Sequence, residues 1–322
     1  MKVYVTRRIP EAGMDLLREF DVRVWPGDGP PPREVLFQEV RDVDGLLCLL
    51  TDRIDRELFD RAERLRVVSN YAAGYDNIDV ADATRRGILV TNTPGVLTDS
   101  TADLTFALLL ALARRIPEAE AFMRSGRWKT WSPDLLTGIE VTGSVLGIVG
   151  MGRIGEAVAR RARGFSMKIL YTSRTRKPDA EAAYQIEYVT LPQLLSASDF
   201  VTIHVPLTQE TTRLIGKAEL SLMKKDACII NTSRGAVLDQ RALCEALSER
   251  RIRGAALDVF EEEPVPMDDP IFTTPGLIIV PHIGSATTKT RERMAKIAAS
   301  NLRNFLLGLP VPNPVNPVVL NT

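Results

Sequence analysis

A glycine-rich turn between an apolar stretch and a helix-like stretch most strongly limits what this chain can fold into. The apolar residues Val145–Val149 are followed by the sequence G-M-G-R-I-G, from Gly150 to Gly155, and an Ala/Arg-rich stretch then continues to Arg163. This order predicts a strand, a tight turn and a helix. The first glycine permits the turn, the second lets the backbone approach a pyrophosphate, and the third lets the helix pack close to the strand. The motif therefore predicts a dinucleotide-binding βα unit.

The composition is typical of a globular protein with room for two domains. The chain has 322 residues, of which 45% are hydrophobic and 25% charged. Lys plus Arg number 41 and Asp plus Glu number 41, so the net charge of zero indicates neither a nucleic acid nor a membrane surface as a partner. Cys48, Cys228 and Cys244 are too scattered for a disulfide framework or a metal site, a pattern that suits a reducing cytoplasm. The longest apolar run, residues 106–113, is too short to span a bilayer.

Predicted strands alternate with predicted helices along most of the chain. Short apolar runs predict strands at residues 2–5, 22–25, 45–50, 65–69 and 88–91, and again at 145–149, 167–172, 200–205, 227–231, 255–259 and 277–280. Strands separated by helices in this way indicate parallel sheets of βα units. The first group of strands carries no phosphate-binding glycine motif, so we expect the cofactor to bind the second group.

Three segments differ from this alternating pattern. An Ala/Leu-rich helix predicted at residues 101–114, capped by Asp99 or Ser100, is apolar on too many sides for a surface helix, so we expect it to be buried between domains or subunits. Residues 124–143 form an irregular arm that carries Trp128 and Trp131. Either the two rings fill gaps in the core, or the arm lies over a neighbouring subunit. After a long helix predicted at residues 286–307, the Pro/Asn-rich tail is expected to pack as coil.

Four polar residues of different types lie at or just past the ends of predicted strands. Arg234 follows the strand at residues 227–231, and His282 follows the last strand. Asp258 lies at the end of the strand between them, and Glu263 follows it. The carboxyl ends of parallel strands share one edge of an open α/β sheet, where ligands bind. An arginine can hold a carboxylate through two hydrogen bonds and polarise the adjacent carbonyl group. A histidine can supply a proton as hydride arrives from a nicotinamide, and a neighbouring carboxylate orients the ring and favours its protonated form. The set predicts reduction of a 2-oxo acid, although each residue alone could have a structural role.

The segment after the second strand of the nucleotide unit bears on the choice of cofactor. A fold specific for NAD places an acid here to bind the ribose 2′-hydroxyl. The sequence Tyr171-Thr172-Ser173-Arg174-Thr175-Arg176-Lys177 has no acid and three basic residues. It predicts a preference for NADPH, with Arg174 stacking or pairing and Ser173 donating a hydrogen bond to the 2′-phosphate, while NADH remains possible. At least one of Arg176 and Lys177 is expected to be only solvated.

Over essentially its whole length the chain resembles the D-isomer-specific 2-hydroxyacid dehydrogenases. The stretches that carry the resemblance are Gly150–Gly155, Asn231–Gly235, Ala256–Pro264 and Pro281–Ala286. The resemblance implies an α/β protein with two Rossmann-like doubly wound parallel-sheet domains. The substrate domain would comprise residues 1–98 and 286–322, split between both chain ends, and residues 99–285 would form the dinucleotide-binding domain with a dimerisation arm. It also implies a homodimer joined through the dinucleotide-binding domains.

The resemblance also implies roles for individual residues. Arg234, Glu263 and His282 would be catalytic, and Asp258 would contact the nicotinamide carboxamide. Ala73 and Gly74 would bind the substrate carboxylate through their N–H groups, together with Arg234. The predicted cofactor-binding residues are Thr98, Gly150, Gly152, Arg153, Ile154, Gly155, Ser173, Arg174, Thr175, Val205, Pro206, Thr232, Asp258, His282 and Gly284. No metal is expected. The other histidine, His204, is expected to line the cofactor cleft without acid–base work.

Within the family, the chain most resembles the glyoxylate/hydroxypyruvate reductases. The stretches concerned are Leu49–Asp52, Val96–Asp99 and Trp128–Pro133. This resemblance implies reduction of glyoxylate and hydroxypyruvate to glycolate and D-glycerate, with Trp131 reaching the active site of a partner subunit. Two alternatives remain open. One is another D-2-hydroxyacid dehydrogenase, such as 3-phosphoglycerate dehydrogenase, and the other is a non-catalytic NAD(H)-sensing protein that resembles a corepressor.

Overall fold

The computed structural model describes residues 1–321, and the chain divides into two compact units. Unit 1 comprises Met1–Leu97 and the chain from Ser285 onward, and unit 2 comprises Thr98–Gly284. Each boundary lies one residue earlier than the sequence predicts. The three cysteines are free thiols. Among residues 1–321, no helix combines the length and the apolar character that crossing a membrane requires.

Unit 1 is built on five parallel strands in the order β2-β1-β3-β4-β5. Strands β3 and β4 are buried at every residue because helices cover both faces of such a sheet. Helix α1 is followed directly by a short 3-10 turn, Asp15–Leu17. The elements are β1 (Lys2–Val5), α1 (Glu11–Met14), β2 (Asp21–Val24), α2 (Arg33–Glu39), β3 (Gly45–Cys48), α3 (Arg56–Phe59), β4 (Val67–Asn70), α4 (Val80–Arg85) and β5 (Leu89–Thr91).

Unit 2 contains seven parallel strands in the order β12-β11-β10-β9-β6-β7-β8. The strand order reverses between β6 and β9, and ligands of doubly wound sheets bind at such a point. The elements are α5 (Thr98–Ala113), α6 (Ile116–Arg124), β6 (Val145–Val149), α7 (Arg153–Arg163), β7 (Lys168–Thr172), α8 (Pro178–Tyr184), β8 (Glu187–Tyr188), α9 (Leu191–Ala197), β9 (Phe200–Ile203), α10 (Lys217–Leu222), β10 (Cys228–Asn231), α11 (Gln240–Ser248), β11 (Gly254–Leu257) and β12 (Leu277–Ile279). Two parallel-sheet α/β units confirm the predicted fold class.

The long apolar helix α5 packs against several elements of its own unit. It packs against α7, β10 and β11, and Phe106 stacks on Phe165 with ring centroids 5.5 Å apart. On its polar side, Arg161 of α7 bridges Asp99 and Asp103. Leu104, Leu110 and Leu112 remain only partly buried in this chain, so the expectation that the helix is buried between domains or subunits stays a prediction. The helix begins at Thr98, three residues before the predicted start.

Four elements of unit 2 were not predicted, because each is short or exposed. Helix α6 has no buried residue, and β8 is an exposed edge strand of two residues. Helices α8 and α10, of seven and six residues, each bury a single residue. Helices α8 and α10 and strand β8 are too short to show a clear hydrophobic period. Helix α6 has apolar residues on one face but buries none of them in this chain.

The last helix, α12 (Thr288–Leu306), returns to unit 1. The hydroxyl of Thr287 caps its start by accepting a hydrogen bond from the Thr290 N–H group. The tail that follows contains a 3-10 turn, Pro317–Asn321, which corrects the expectation of coil throughout. Just before this turn, the Asn316 side chain accepts from the Val90 N–H group at 2.7 Å, so the tail covers the edge strand β5.

Candidate active site

The glycine turn after β6 leaves open space at the start of α7. Gly150 has a φ of 102°, and its N–H group donates to the Thr172 carbonyl oxygen. A Cβ atom on Gly155 would lie 2.2 Å from the Gly150 carbonyl oxygen, so a side chain there would prevent this close packing. Gly152 caps the helix without a side-chain hydrogen bond, and a Cβ atom on it would meet nothing within 4 Å. Open space beside unpaired N–H groups of an 11-residue helix fits a pyrophosphate.

The other predicted cofactor-binding residues of unit 2 lie past strand ends or in the first turns of helices. They are Thr98 in α5, Arg153 and Ile154 in α7, Ser173, Arg174 and Thr175 after β7, Val205 and Pro206 after β9, Thr232 after β10, Asp258 after β11, and His282 and Gly284 after β12. The Ser173 hydroxyl donates to the Thr175 carbonyl oxygen at 2.6 Å, so it must rotate before it can donate to a 2′-phosphate.

His282 and Glu263 form a hydrogen-bonded pair. The His282 Nδ1 atom lies 2.7 Å from Glu263 Oε2, and the other carboxylate oxygen accepts from the Phe260 N–H group at 3.0 Å. Burial opposes ionisation of Glu263, yet the hydrogen bond and charge of His282, the Phe260 N–H group and the charge of Arg234 together hold its pKa below the usual range. The carboxylate is therefore ionised at neutral pH and faces the imidazole ring.

Asp258 anchors the turn that carries His282. Its two carboxylate oxygens accept from the N–H groups of Ile283 and Gly284, at 2.6 and 2.8 Å. His282 itself has a φ of 51°, in the left-handed region, and hydrogen bonds on the residues that follow hold the turn in that conformation. Burial raises the pKa of Asp258 to about 6, against the opposing effect of those N–H groups and of His282.

Arg234 is presented by a loop that the Asn231 side chain holds. The Asn231 amide donates to the Arg234 carbonyl oxygen at 2.9 Å, and its oxygen accepts from the N–H and hydroxyl groups of Ser233. A Cβ atom on Gly235 would lie 1.8 Å from the carbonyl carbon of Phe260, so only glycine lets this loop approach the segment before Glu263. The role of Asn231 was not predicted. Its full burial at the end of β10 became evident only in the structure.

The environment of His204 differs from that of His282. Both of its ring nitrogens are buried, and neither has a hydrogen-bond partner among residues 1–321. Burial lowers the pKa of His204 to about 3, so the ring is neutral at physiological pH and does not supply a proton. Of the two histidines, only His282 has a carboxylate partner. Among residues 1–321, no group of three His, Cys, Asp or Glu side chains is placed to hold a metal ion.

The predicted carboxylate-binding loop lies in unit 1, directly after β4. Its carbonyl groups are held in place: the Ala73 oxygen accepts from the Asn92 side chain at 2.6 Å, and the Gly74 oxygen accepts from the Asn70 side chain at 2.9 Å. Within residues 1–321, the N–H groups of Ala73 and Gly74 have no hydrogen-bond acceptor, and both residues are partly exposed. The loop therefore presents two fixed donors.

Both tryptophans of the arm are exposed. Trp131 keeps 76% of its surface accessible and Trp128 keeps 51%. Neither ring fills a gap in the core of this chain, so the first of the two interpretations of the arm is wrong. The neighbouring helix α6 exposes Ile116 and Met123 in the same way.

Comparison with known proteins decides the family. The family model described as "D-isomer specific 2-hydroxyacid dehydrogenase, NAD binding domain" matches residues 106–284, more than half of the chain. The chain belongs to this family. The dehydrogenase is 54% identical over 326 residues to a protein named glyoxylate reductase from Thermococcus litoralis, in an alignment that covers 100% of this chain and 98% of the relative.

Solved structures resemble this dehydrogenase along nearly its full length. The TT0316 protein from Thermus thermophilus is 47% identical, with a TM-score of 0.91 over 98% of this chain and 100% of that one. An NADPH-dependent glyoxylate/hydroxypyruvate reductase from Sinorhizobium meliloti, in complex with NADP and malonate, is 33% identical, with a TM-score of 0.83 over 98% and 96%. A D-lactate dehydrogenase from Aquifex aeolicus, with NAD and lactic acid, is 27% identical, with a TM-score of 0.87 over 98% and 99%. This dehydrogenase is therefore an oxidoreductase that uses a nicotinamide dinucleotide.

Proposed function

We propose that this dehydrogenase reduces glyoxylate and hydroxypyruvate to glycolate and D-glycerate, with a preference for NADPH. The observation that carries the proposal is the Glu263–His282 hydrogen bond of 2.7 Å, in the same unit as Arg234 and the open turn at Gly152. The identity of 54% to a protein named glyoxylate reductase supports this choice of substrate.

Each residue of the set has a distinct part in the reduction. When bound, the nicotinamide supplies the hydride. His282 supplies the proton from Nε2, because Nδ1 is engaged with Glu263. Glu263 keeps the ring oriented and stabilises its protonated form. Arg234 binds the substrate carboxylate and polarises the adjacent carbonyl group. In unit 1, the N–H groups of Ala73 and Gly74 are proposed as donors to a substrate carboxylate.

The preference for NADPH rests on the segment after β7. This segment contains no carboxylate that could bind a ribose 2′-hydroxyl group, and Arg174 is exposed at its centre. We propose that Arg174 binds the 2′-phosphate, with Ser173 and Thr175 beside it, and that the start of α7 holds the pyrophosphate.

Steady-state loss of nicotinamide absorbance tests the reaction. We expect glyoxylate and hydroxypyruvate to be reduced with kcat/KM at least about tenfold above those of pyruvate and 3-phosphohydroxypyruvate, and with NADPH preferred over NADH. Turnover of the same acids with NADH preferred would contradict the cofactor proposal alone. Preference for 3-phosphohydroxypyruvate would favour a phosphoglycerate dehydrogenase, and cofactor binding without turnover of any acid would favour a sensing protein.

We also propose a homodimer in which Trp131 reaches the active site of the partner subunit. The proposal is supported by the exposure of Trp128 and Trp131 and by helix α6, which has no buried residue and exposes Ile116 and Met123. Sedimentation at micromolar concentration is expected to give twice the chain mass of 35.6 kDa.

Trp131→Ala is expected to raise KM for glyoxylate about fivefold or more, with Trp128→Ala as the matched comparison. A monomeric wild type, or an unchanged KM in Trp131→Ala, would contradict the proposal.

A further inference from the structure

The segment after β7 has less free positive charge than its sequence suggests. Helix α8 places Glu181 against Arg176, and the two side chains form two parallel hydrogen bonds of 2.8 Å, from Nε to Oε1 and from Nη2 to Oε2. This bidentate geometry directs the Arg176 guanidinium towards α8. One of the three basic residues is therefore paired with an acid that lies five residues further along the chain.

A buried tyrosine holds this pair in place. The Tyr171 ring is fully buried at the end of β7, and its hydroxyl donates to Glu181 Oε1 at 2.6 Å. The same hydroxyl accepts from the Lys177 N–H group at 2.7 Å, which fixes the end of the segment. Hydrogen bonds from Arg176 and Tyr171 lower the pKa of Glu181 to about 2, so its carboxylate is ionised throughout the working pH range.

Arg174 is in a different environment. It is exposed, and no hydrogen bond or ion pair holds its side chain among residues 1–321. Glu210 lies on the loop after β9. A hydrogen bond from Thr208 lowers the pKa of the Glu210 carboxyl, and the positive charge of Arg174 lowers it further. Because β7 and β9 lie on either side of β6, Arg174 acts across the point where the strand order reverses.

We propose that Glu181 limits the preference for a 2′-phosphorylated cofactor by holding Arg176 in a neutral ion pair. This inference rests on the proposed preference for NADPH and adds a residue that determines its strength. Arg174 then supplies the positive charge for the phosphate, and Arg176 contributes little while Glu181 is present. Removal of the Glu181 charge releases Arg176, and removal of Arg176 leaves a carboxylate uncovered near the phosphate.

Glu181→Gln is the variant that tests this inference, because glutamine keeps an oxygen to accept from Tyr171 but loses the charge. Dissociation constants for NADPH and NADH would be measured by nicotinamide fluorescence at low ionic strength, where exposed charges interact most strongly. We expect NADPH to bind about three- to fivefold more tightly and NADH to bind as in the wild type. Asp179→Asn is the matched control, since it removes an exposed charge from the same helix without releasing an arginine. It is expected to change NADPH binding less than about twofold.

Two further variants assign the effect to Arg176. Arg176→Gln is expected to weaken NADPH binding about threefold, and the double variant Arg176→Gln/Glu181→Gln is expected to return it to the wild-type value. If the gain in Glu181→Gln persists in the double variant, Arg176 is not its source and the inference is wrong. Equal weakening of NADPH and NADH in Glu181→Gln would show that Glu181 only supports the segment, which also overturns it.

Failure of the proposed cofactor preference is distinguishable from failure of this inference. Arg174→Gln is expected to weaken NADPH binding and leave NADH binding unchanged. If it binds both cofactors as the wild type does, the role of Arg174 in the preference for NADPH is wrong. The inference about Glu181 is decided separately, by comparing Glu181→Gln with Asp179→Asn and with the double variant. Thermal unfolding of every variant checks that the fold is retained.

Discussion

Replacement of His282 by asparagine is expected to lower kcat for glyoxylate reduction about 10³-fold, because the proton donor is removed. Asparagine is chosen because residue 282 has a φ of 51°, a conformation that asparagine adopts more readily than most residues. Stopped-flow or steady-state measurement of nicotinamide absorbance gives the rate, and fluorescence titration checks that the cofactor still binds. His204→Asn is the comparison variant. A large loss of kcat in His204→Asn, with His282→Asn within tenfold of the wild type, would contradict the assignment.

Replacement of Glu263, the hydrogen-bond partner of His282, tests whether the orientation of the ring matters in addition to the presence of a proton donor. In Glu263→Gln the His282 ring is held less firmly, so kcat for glyoxylate reduction is expected to fall about 10²-fold. The hydrogen bond of 2.7 Å from Nδ1 to the Glu263 carboxylate fixes the direction in which Nε2 points, so its loss misplaces the proton donor. Steady-state kinetics with glyoxylate, together with a fluorescence titration of the cofactor, check this result. We expect kcat to fall while the dissociation constant of the cofactor stays within about twofold of the wild type, and an unchanged kcat would contradict the positioning role.

Replacement of Arg234 by glutamine is expected to lower kcat/KM for glyoxylate about 10³-fold, because the charge that binds the carboxylate and polarises the carbonyl group is removed. The loop itself should persist, since Asn231 holds the backbone oxygen of residue 234 and not its side chain. The dissociation constant for the cofactor is expected to stay within about twofold of the wild type, which separates substrate binding from cofactor binding.

Arg234→Lys is the matched variant for geometry. Lysine keeps the positive charge but cannot form two parallel hydrogen bonds, so we expect it to recover only part of the lost kcat/KM. Full recovery would show that charge alone suffices at this position. An unchanged kcat/KM in Arg234→Gln would remove Arg234 from the proposed mechanism.

The alternation of strands and helices was predictable because buried strands of a parallel sheet are continuously apolar. The strands of both sheets were predicted within two residues at each end, except for β8. The two-residue strand β8 is too short to set a period, and the exposed helix α6 was missed although apolar residues lie on one of its faces. For α5 the apolar character was predicted correctly, and its burial between domains or subunits stays a prediction.

The candidate site was predictable in its members and not in its contacts. Arg234, Asp258 and His282 follow three neighbouring strands, and parallel strands bring such residues to one edge. Glu263 stands last of three consecutive glutamates; its position after a strand made it a candidate, and the resemblance to a family implied its catalytic role. The structure shows that its side chain reaches His282. The anchoring of the turn by Asp258 was also unforeseen, because backbone N–H groups leave no trace in the sequence.

The sequence by itself determined the two parallel sheets, the glycine turn and the kinds of side chain at the strand ends, because hydrophobic periodicity and glycine spacing are local properties. Only the tertiary structure decided which charges meet. Glu263 and His282 are 19 residues apart, and Arg176 meets Glu181 only because α8 begins at Pro178 and turns back towards Tyr171. It also decided that Trp131 lies outside the core. Such pairings depend on distances across the fold, and those distances arise from packing that no short stretch of sequence contains.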